Sequence, residues 1–222
     1  MLDSSVGPAD YNMAFDEALL EFAPERGRPV LRFYGWTQAA ATFGYSQRYS
    51  DVVAATLLRP LVRRPTGGGL VPHDADWTDS LVFPPGHYWY RLKAAQSYER
   101  LHRWLADAFA KIGVAATLAP CAQKEIPGQC FIGSDQFDVL WRGRKIAGAA
   151  QRRTRAGLLI QGSVQPPPLS LARAGWQRAM CEIASDQFGV DWVELAVNSN
   201  LSAATERRRA EKYSQDSFNQ RR

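Results

Sequence analysis

The chain of 222 residues contains no run near the roughly 18 consecutive apolar residues that a membrane-spanning helix requires; stretches such as AGLLI at 156–160 are far shorter. Its opening, MLDSSVGPADYNMAFDEALLEF, carries no basic segment followed by an apolar one, so nothing in it marks export and a cytoplasmic protein is expected. Cysteine is scarce. Cys121, Cys130 and Cys181 are odd in number and form no CxxC pair, which argues against a disulfide framework and a structural zinc site, so reduced thiols and no metal are expected. Repeats and low-complexity linkers are missing too, and composition does not change before about residue 196. Charge is not strongly one-sided: the net charge is +5, acids alternate with Lys and Arg, and only ERRRAEK at 206–212 is a dense basic cluster. That pattern suits an acidic protein or an anionic small molecule as well as nucleic acid.

What is present is a full globular core. With 45% hydrophobic and 11% aromatic residues, the chain reads as one domain spanning 1–222. Met13, Ala14, Ala18, Leu19 and Phe22 recur at helical spacing behind Asp10, an N-cap residue type, and predict an amphipathic helix over 10–23. Residues 94–113, with Gly113 as the stop, and 170–189 predict two more helices. Strands are expected over 30–36, 39–46, 79–85 and 157–164, in a short segment before the glycines at 67–69, and in two arms around Arg142-Gly143-Arg144. Helices and strands alternate unevenly, with hairpins between them. The fold class is therefore α/β, a single domain with a mixed, largely antiparallel sheet flanked by helices.

The segment RRPTGGGLVPHD, from Arg63 to Asp74, combines two arginines, three consecutive glycines and a histidine. Glycines cost entropy and give no side-chain packing, so a run of them serves positive φ or close approach to the backbone. No Lys-Ser/Thr pair follows, as a Walker loop would need, and the pattern is not GxGxxG. A second cluster lies in GRKIAGAAQRRTRAGLLIQGSV at 143–164: Lys145 on a strand, then Ala147-Gly148-Ala149-Ala150 and Gln151.

With NMAFDEALL near the start and EKYSQDSFNQRR at 211–222, these segments strongly resemble the lipoate-protein ligase and octanoyltransferase family, whose catalytic fold is shared with biotin-protein ligases. The resemblance covers nearly the whole chain. It implies an enzyme of protein lipoylation that places a C8 acyl group, octanoyl or lipoyl, on a lysine of a lipoyl carrier domain, an acidic protein acceptor. The donor would be acyl carrier protein or free lipoate; nucleic acid and membrane are not expected partners.

On the same resemblance the catalytic residues are Lys145, whose ammonium would meet the reacting carbonyl, and Cys130. Substrate binding falls to Arg64, Thr66, Gly67, Gly68, Gly69, His73, Gly148, Ala149 and Gly162. The three loop glycines would let the acyl chain lie on bare backbone. Arg64, and secondarily Arg63, would grip carboxylate or phosphate oxygens, and Gly148 and Ala149 would be small so that substrate can pass. Two departures from the family pattern are visible: GAAQ in place of Gly-Ser-Ala-Gln, and Pro72 before His73.

Cys130 lies fifteen residues before Lys145 and resembles the nucleophile of the octanoyltransferase branch. A thiolate attacks a thioester readily and leaves readily for an amine, and this route needs no cofactor. The expected C-terminal end at Arg222, with no accessory domain, points the same way. Two alternatives stay open at this point: an ATP- and Mg-dependent lipoate-protein ligase acting through lipoyl-AMP, and a non-catalytic lipoyl-binding paralogue.

Overall fold

The computed structural model describes residues 1–123 and 133–221. In chain order the elements are β1 (Leu2–Gly7), α1 (Ala9–Glu21), α2 (Ala23–Arg26), β2 (Val30–Trp36), β3 (Ala40–Phe43), α3 (Tyr49–Ala55), β4 (Leu61–Arg63), β5 (Val71–His73), β6 (Trp77–Phe83), α4 (Tyr88–Arg91) and α5 (Ala94–Lys111). There follow β7 (Thr117–Leu118), β8 (Val139–Trp141), β9 (Arg144–Thr154), β10 (Gly157–Val164), α6 (Arg173–Phe188), α7 (Ser199–Arg208), a π-helical turn at Arg209–Tyr213 and α8 (Asp216–Asn219). Seven strands form one sheet in the order β1-β2-β6-β10-β9-β8-β7, and three form a small sheet in the order β4-β3-β5. In the large sheet β1 runs parallel to β2 and the other neighbours are antiparallel, which is the mixed, largely antiparallel arrangement expected from the sequence.

Each face of the large sheet is covered by apolar stripes. On one side Leu101, Trp104, Leu105 and Phe109 of α5, with Trp176 and Met180 of α6, pack on Leu31, Leu81, Leu158 and Ile160. On the other, Phe15 and Leu19 of α1 and Leu201 and Ala204 of α7 meet Val30, Val82 and Leu159. Burying a side chain of that size contributes about 1.5–3 kcal/mol, so these two layers carry the fold. Ala40 and Val62 of the small sheet pack with Ala9, Met13 and Ala14 in the N-terminal half of α1, and a space remains between the two sheets.

Several local expectations need correction. β2 and β3 are not a hairpin; they belong to different sheets, because the turn after Trp36 carries the chain over to the small sheet. Asp10 is not the N-cap of α1. Pro8 holds that position, and Asp10 sits in the first turn, where its carboxylate pairs with Arg209 at 2.8 Å. β1, β5, α3 and α7 were not foreseen: β1 reads as mostly polar and lies at the sheet edge, and α3 buries only Val52. The arms around Arg142-Gly143 do form a hairpin, with both residues at positive φ, 49° and 78°, as a tight two-residue turn demands.

Candidate active site

The space between the sheets is lined on the small-sheet side by Thr42, Arg64, Gly68, Val71 and His73. From the large sheet come Tyr34, Trp36, Thr78, Lys145, Gly148–Ala150 and Gln161–Ser163; Met13 and Tyr98 close its ends. Its volume is about 60 Å³. A larger cavity, about 460 Å³, opens at the far end of β2 and β6 behind Phe83, Trp89 and Trp104. Size therefore does not pick the site. The smaller space brings Lys145 together with Arg64, Gly68 and His73 of the glycine-loop segment, about 70 to 80 residues earlier in the chain.

Lys145 stands in the wall. Its Nζ is 2.7 Å from Asp138 Oδ2, the lysine side chain being 6% exposed and the carboxylate fully buried. Asp138 comes from the partner arm of the hairpin and is held in turn: the Tyr98 hydroxyl donates to Oδ1 at 2.5 Å and the Asp135 N–H to Oδ2 at 2.6 Å. Burial pushes the Asp138 carboxyl up, and Lys145 and Tyr98 oppose that shift. A Cβ at Gly148 would lie 2.7 Å from Lys145 Cε and 2.8 Å from Nζ, so the vacant volume beside it holds the end of the lysine. Gly148 and Ala149 both line the cavity.

The glycine loop is braced by its own arginine. Arg64 Nη2 donates to the Gly67 and Gly69 carbonyls at 2.9 and 2.8 Å, and Nη1 to Thr42 Oγ1 at 2.9 Å. These contacts fix the backbone of the loop, and Arg64 lines the cavity as well. Of the three glycines only Gly68 lines the cavity among the described residues; it has φ +83°, and its carbonyl lies where a side chain on Gly44 would be. Thr66 is buried behind the wall and donates to Gln161 Oε1 at 2.8 Å. Arg63 is no part of the site. Its guanidinium is fully buried and donates to the carbonyls of Tyr45, Gln47, Phe218 and Asn219, so it ties the KYSQDSFN segment to β4.

His73 lines the cavity with both ring nitrogens engaged. Nε2 is 2.7 Å from Thr42 Oγ1, Nδ1 is 2.8 Å from Asp76 Oδ2, and the ring stacks on Trp36 at 3.8 Å. Thr78 and Ser163 donate to the same Asp76 oxygen. A proton on Nδ1, with the Thr42 hydroxyl donating to Nε2, gives every hydrogen of this network an acceptor. Below, Asp16 joins Arg32, Tyr34, Ser80 and Gln161 in a buried network, which is what the NMAFDEALL segment supplies. Gly162 lines the floor, and behind it Asp79 fills the space of the missing side chain: a Cβ would sit 2.6 Å from Asp79 Oδ1. Both Asp79 oxygens are buried without a hydrogen-bond partner among the described residues. Burial, with Asp16 and Asp76 adding to it, raises this carboxyl to about 7.

Cys130 lies outside the described residues. Cys121 is exposed, and Cys181 is half-buried on α6 with its thiol pushed up to about 11 by burial; neither lines the cavity. Sequence reading missed Asp138, Tyr98, Asp76, Thr42 and Gln161. For Asp138 a signal existed, because a two-residue turn at Arg142-Gly143 pairs Leu140 with Lys145 and so brings the carboxylate beside the lysine.

Residues 8–165 match the family model described as the lipoyl protein ligase A/B catalytic domain. The chain belongs to that family. It is 34% identical over 168 residues to the octanoyltransferase LipM of Staphylococcus epidermidis, covering 69% of this chain and 60% of the relative. The chain thus spans about three fifths of the length of the first curated relatives it matches. Among solved structures, a lipoate-protein ligase A bound with ATP aligns over 99% of this chain and 96% of its own at TM-score 0.81 and 18% identity. A chain from the lipoylation system of Thermoplasma acidophilum, a bi-partite lipoate protein ligase and its E2 lipoyl domain, aligns over 99% and 95% at TM-score 0.76 and 18% identity. These likenesses establish the lipoate-ligase fold. Within it, replacing Gly68 by Val should abolish measurable binding of an octanoyl ligand in calorimetry, because a β-branched residue both resists positive φ and enters the cavity. Unchanged affinity would mean that the glycine serves the turn alone.

Proposed function

We propose that this protein is an octanoyltransferase of protein lipoylation, carrying a C8 acyl group as a thioester on Cys130 and passing it to a lysine of an acidic lipoyl carrier domain. The observation that carries the reading is the Lys145 ammonium held at the wall of a cavity between the two sheets. Family membership and 34% identity to an octanoyltransferase support it. In the first step the Cys130 thiolate attacks the carbonyl of a thioester donor such as octanoyl acyl carrier protein, the new C–S bond forms, and the donor's own C–S bond breaks, its sulfur leaving as a thiolate. In the second, the acceptor lysine amine attacks the enzyme thioester, the amide forms, the C–S bond breaks, and the amine proton ends on the departing sulfur or on solvent. Each attack puts negative charge on the carbonyl oxygen. A fixed ammonium stabilises that charge without having to reorganise. Ala149, Gly162 and Gly68 would form the low wall along which the acyl chain lies, while Arg64, Thr66, Gly67, Gly69 and His73 hold that wall in shape.

On this route no cofactor takes part; ATP and Mg would be needed only if the protein made lipoyl-AMP. The test is a purified lipoyl domain incubated with the enzyme and octanoyl carrier protein in one tube, and with lipoate plus ATP in another. Mass spectrometry should find the octanoyl mass in the first tube. Product in the second tube alone identifies a ligase, and product in neither leaves a binding protein.

A further inference from the structure

We propose that Asp138 and Tyr98 are positioning residues for Lys145, which together hold its ammonium at the point where the reacting carbonyl must come; this rests on the role assigned to Lys145 above. A lysine is a flexible stem with a strongly hydrated end, and at a cavity wall its ordinary state is to point into water. Here Asp138 holds it at the wall. Asp138 stands just before β8 on the facing arm, two residues from Leu140, which pairs with Lys145; one carboxylate oxygen takes the Tyr98 hydroxyl, and the other takes both the Asp135 amide and Nζ. Tyr98 comes from α5, and its ring packs edge-on against His102, at 4.0 Å and 79°. His102 is buried and, by desolvation first and Lys145 second, held neutral to about 3, so it brings no rival cation to the carboxylate. The Tyr98 oxygen also lies 3.5 Å from the Ala149 N–H, which ties the chain of groups to the cavity-lining strand.

A purely structural reading fits these groups poorly. Buried ion pairs cost desolvation that apolar residues of the same volume avoid, and they are weak devices for stability. A glycine at 148 that clears space for a charged side chain adds to that cost. The arrangement gains its purpose if the ammonium has to be in one place.

The variants are Tyr98→Phe, which keeps the ring on His102 and deletes the hydroxyl, and Asp138→Asn, which keeps the shape and deletes the charge. The first readout needs no catalysis: the rate at which a small succinimidyl acetate acetylates Lys145, read by peptide mass spectrometry against exposed Lys93. Release from the carboxylate should speed Lys145 labelling at least about threefold in Asp138→Asn and measurably in Tyr98→Phe. The second is octanoyl transfer, where kcat should fall about tenfold or more while KM for the acyl donor stays within about twofold, the mark of an interaction made in the transition state. Wild-type labelling rates in both variants would overturn the proposal, as would an unchanged kcat in Tyr98→Phe. A wild-type protein that transfers no octanoyl group would defeat the proposed function, and the labelling rates would still decide whether Asp138 and Tyr98 hold the lysine.

Discussion

Lys145→Ala is expected to lose at least about a hundredfold in acyl transfer, within the range for removal of a group that stabilises or shuttles charge in the transition state. The substitution should also weaken the fold. The structure buries the lysine's partner: among the described residues Asp138 would keep the Tyr98 hydroxyl and the Asp135 amide. Breaking a buried pair from one side costs about 3–5 kcal/mol, less whatever is recovered as the carboxyl takes up a proton. The two effects separate in experiment. Denaturant unfolding measures the second, and turnover measured well below the unfolding midpoint isolates the first. Retention of more than about a tenth of wild-type turnover, far above what loss of a charge-stabilising group allows, would remove Lys145 from the chemistry.

Asp79→Asn should stabilise the protein at neutral and mildly alkaline pH. The carboxyl is fully buried, its oxygens have no hydrogen-bond partner among the described residues, and it is raised to about 7 from an ordinary 3.8. It therefore binds its proton more tightly in the folded chain than in the unfolded one. Below pH 3.8 the group is protonated in both states and has no effect. As pH rises from there to about 7, the unfolded chain ionises first and stability is lost; above about 7 the loss is complete. At 1.36 kcal/mol per unit, the full span is about 4 kcal/mol, a large share of the 5–15 kcal/mol that holds a domain together. Asparagine has nearly the same shape and does not titrate. Urea unfolding of both proteins between pH 4.5 and 8 should show the stability difference growing with pH in favour of the variant. Parallel curves over that range would mean that Asp79 ionises normally in the folded protein.

Much of this architecture was legible in the chain. The α5 stripe, the β8–β9 turn and the segment around Lys145 announce themselves through periodicity, positive-φ residues and spacing, because each is local. The roles inside the site were less legible, because they depend on groups brought together from far apart. Arg63 and Arg64 are neighbours in sequence, yet one is locked to the C-terminal segment and the other to its own loop. Nothing in RRPTGGG distinguishes them, since the distinction is made by Asn219 and Thr42. His73 lines the cavity, and the hydrogen bonds that hold it come from Thr42 of β3 and from Asp76, which Ser163 of β10 contacts in turn. Asp79 was read only as part of a strand; that it faces a glycine across the sheet and finds no partner follows from strand register, which no single segment encodes.

The central claim, transfer through a Cys130 thioester, is tested most directly by trapping the intermediate. The enzyme is incubated with octanoyl carrier protein and no acceptor, digested under acid conditions, and the peptide containing Cys130 is weighed. The account predicts an octanoyl adduct on that peptide, removed by hydroxylamine, and absent from Cys130→Ser along with transfer activity, since a serine hydroxyl without a dedicated base is a far weaker nucleophile. Cys121→Ser and Cys181→Ser should keep both the adduct and the activity. Full-rate transfer by Cys130→Ser, with product from the wild type only when ATP is present, would contradict the account and reassign Lys145 and the glycine loop to holding an acyl-adenylate.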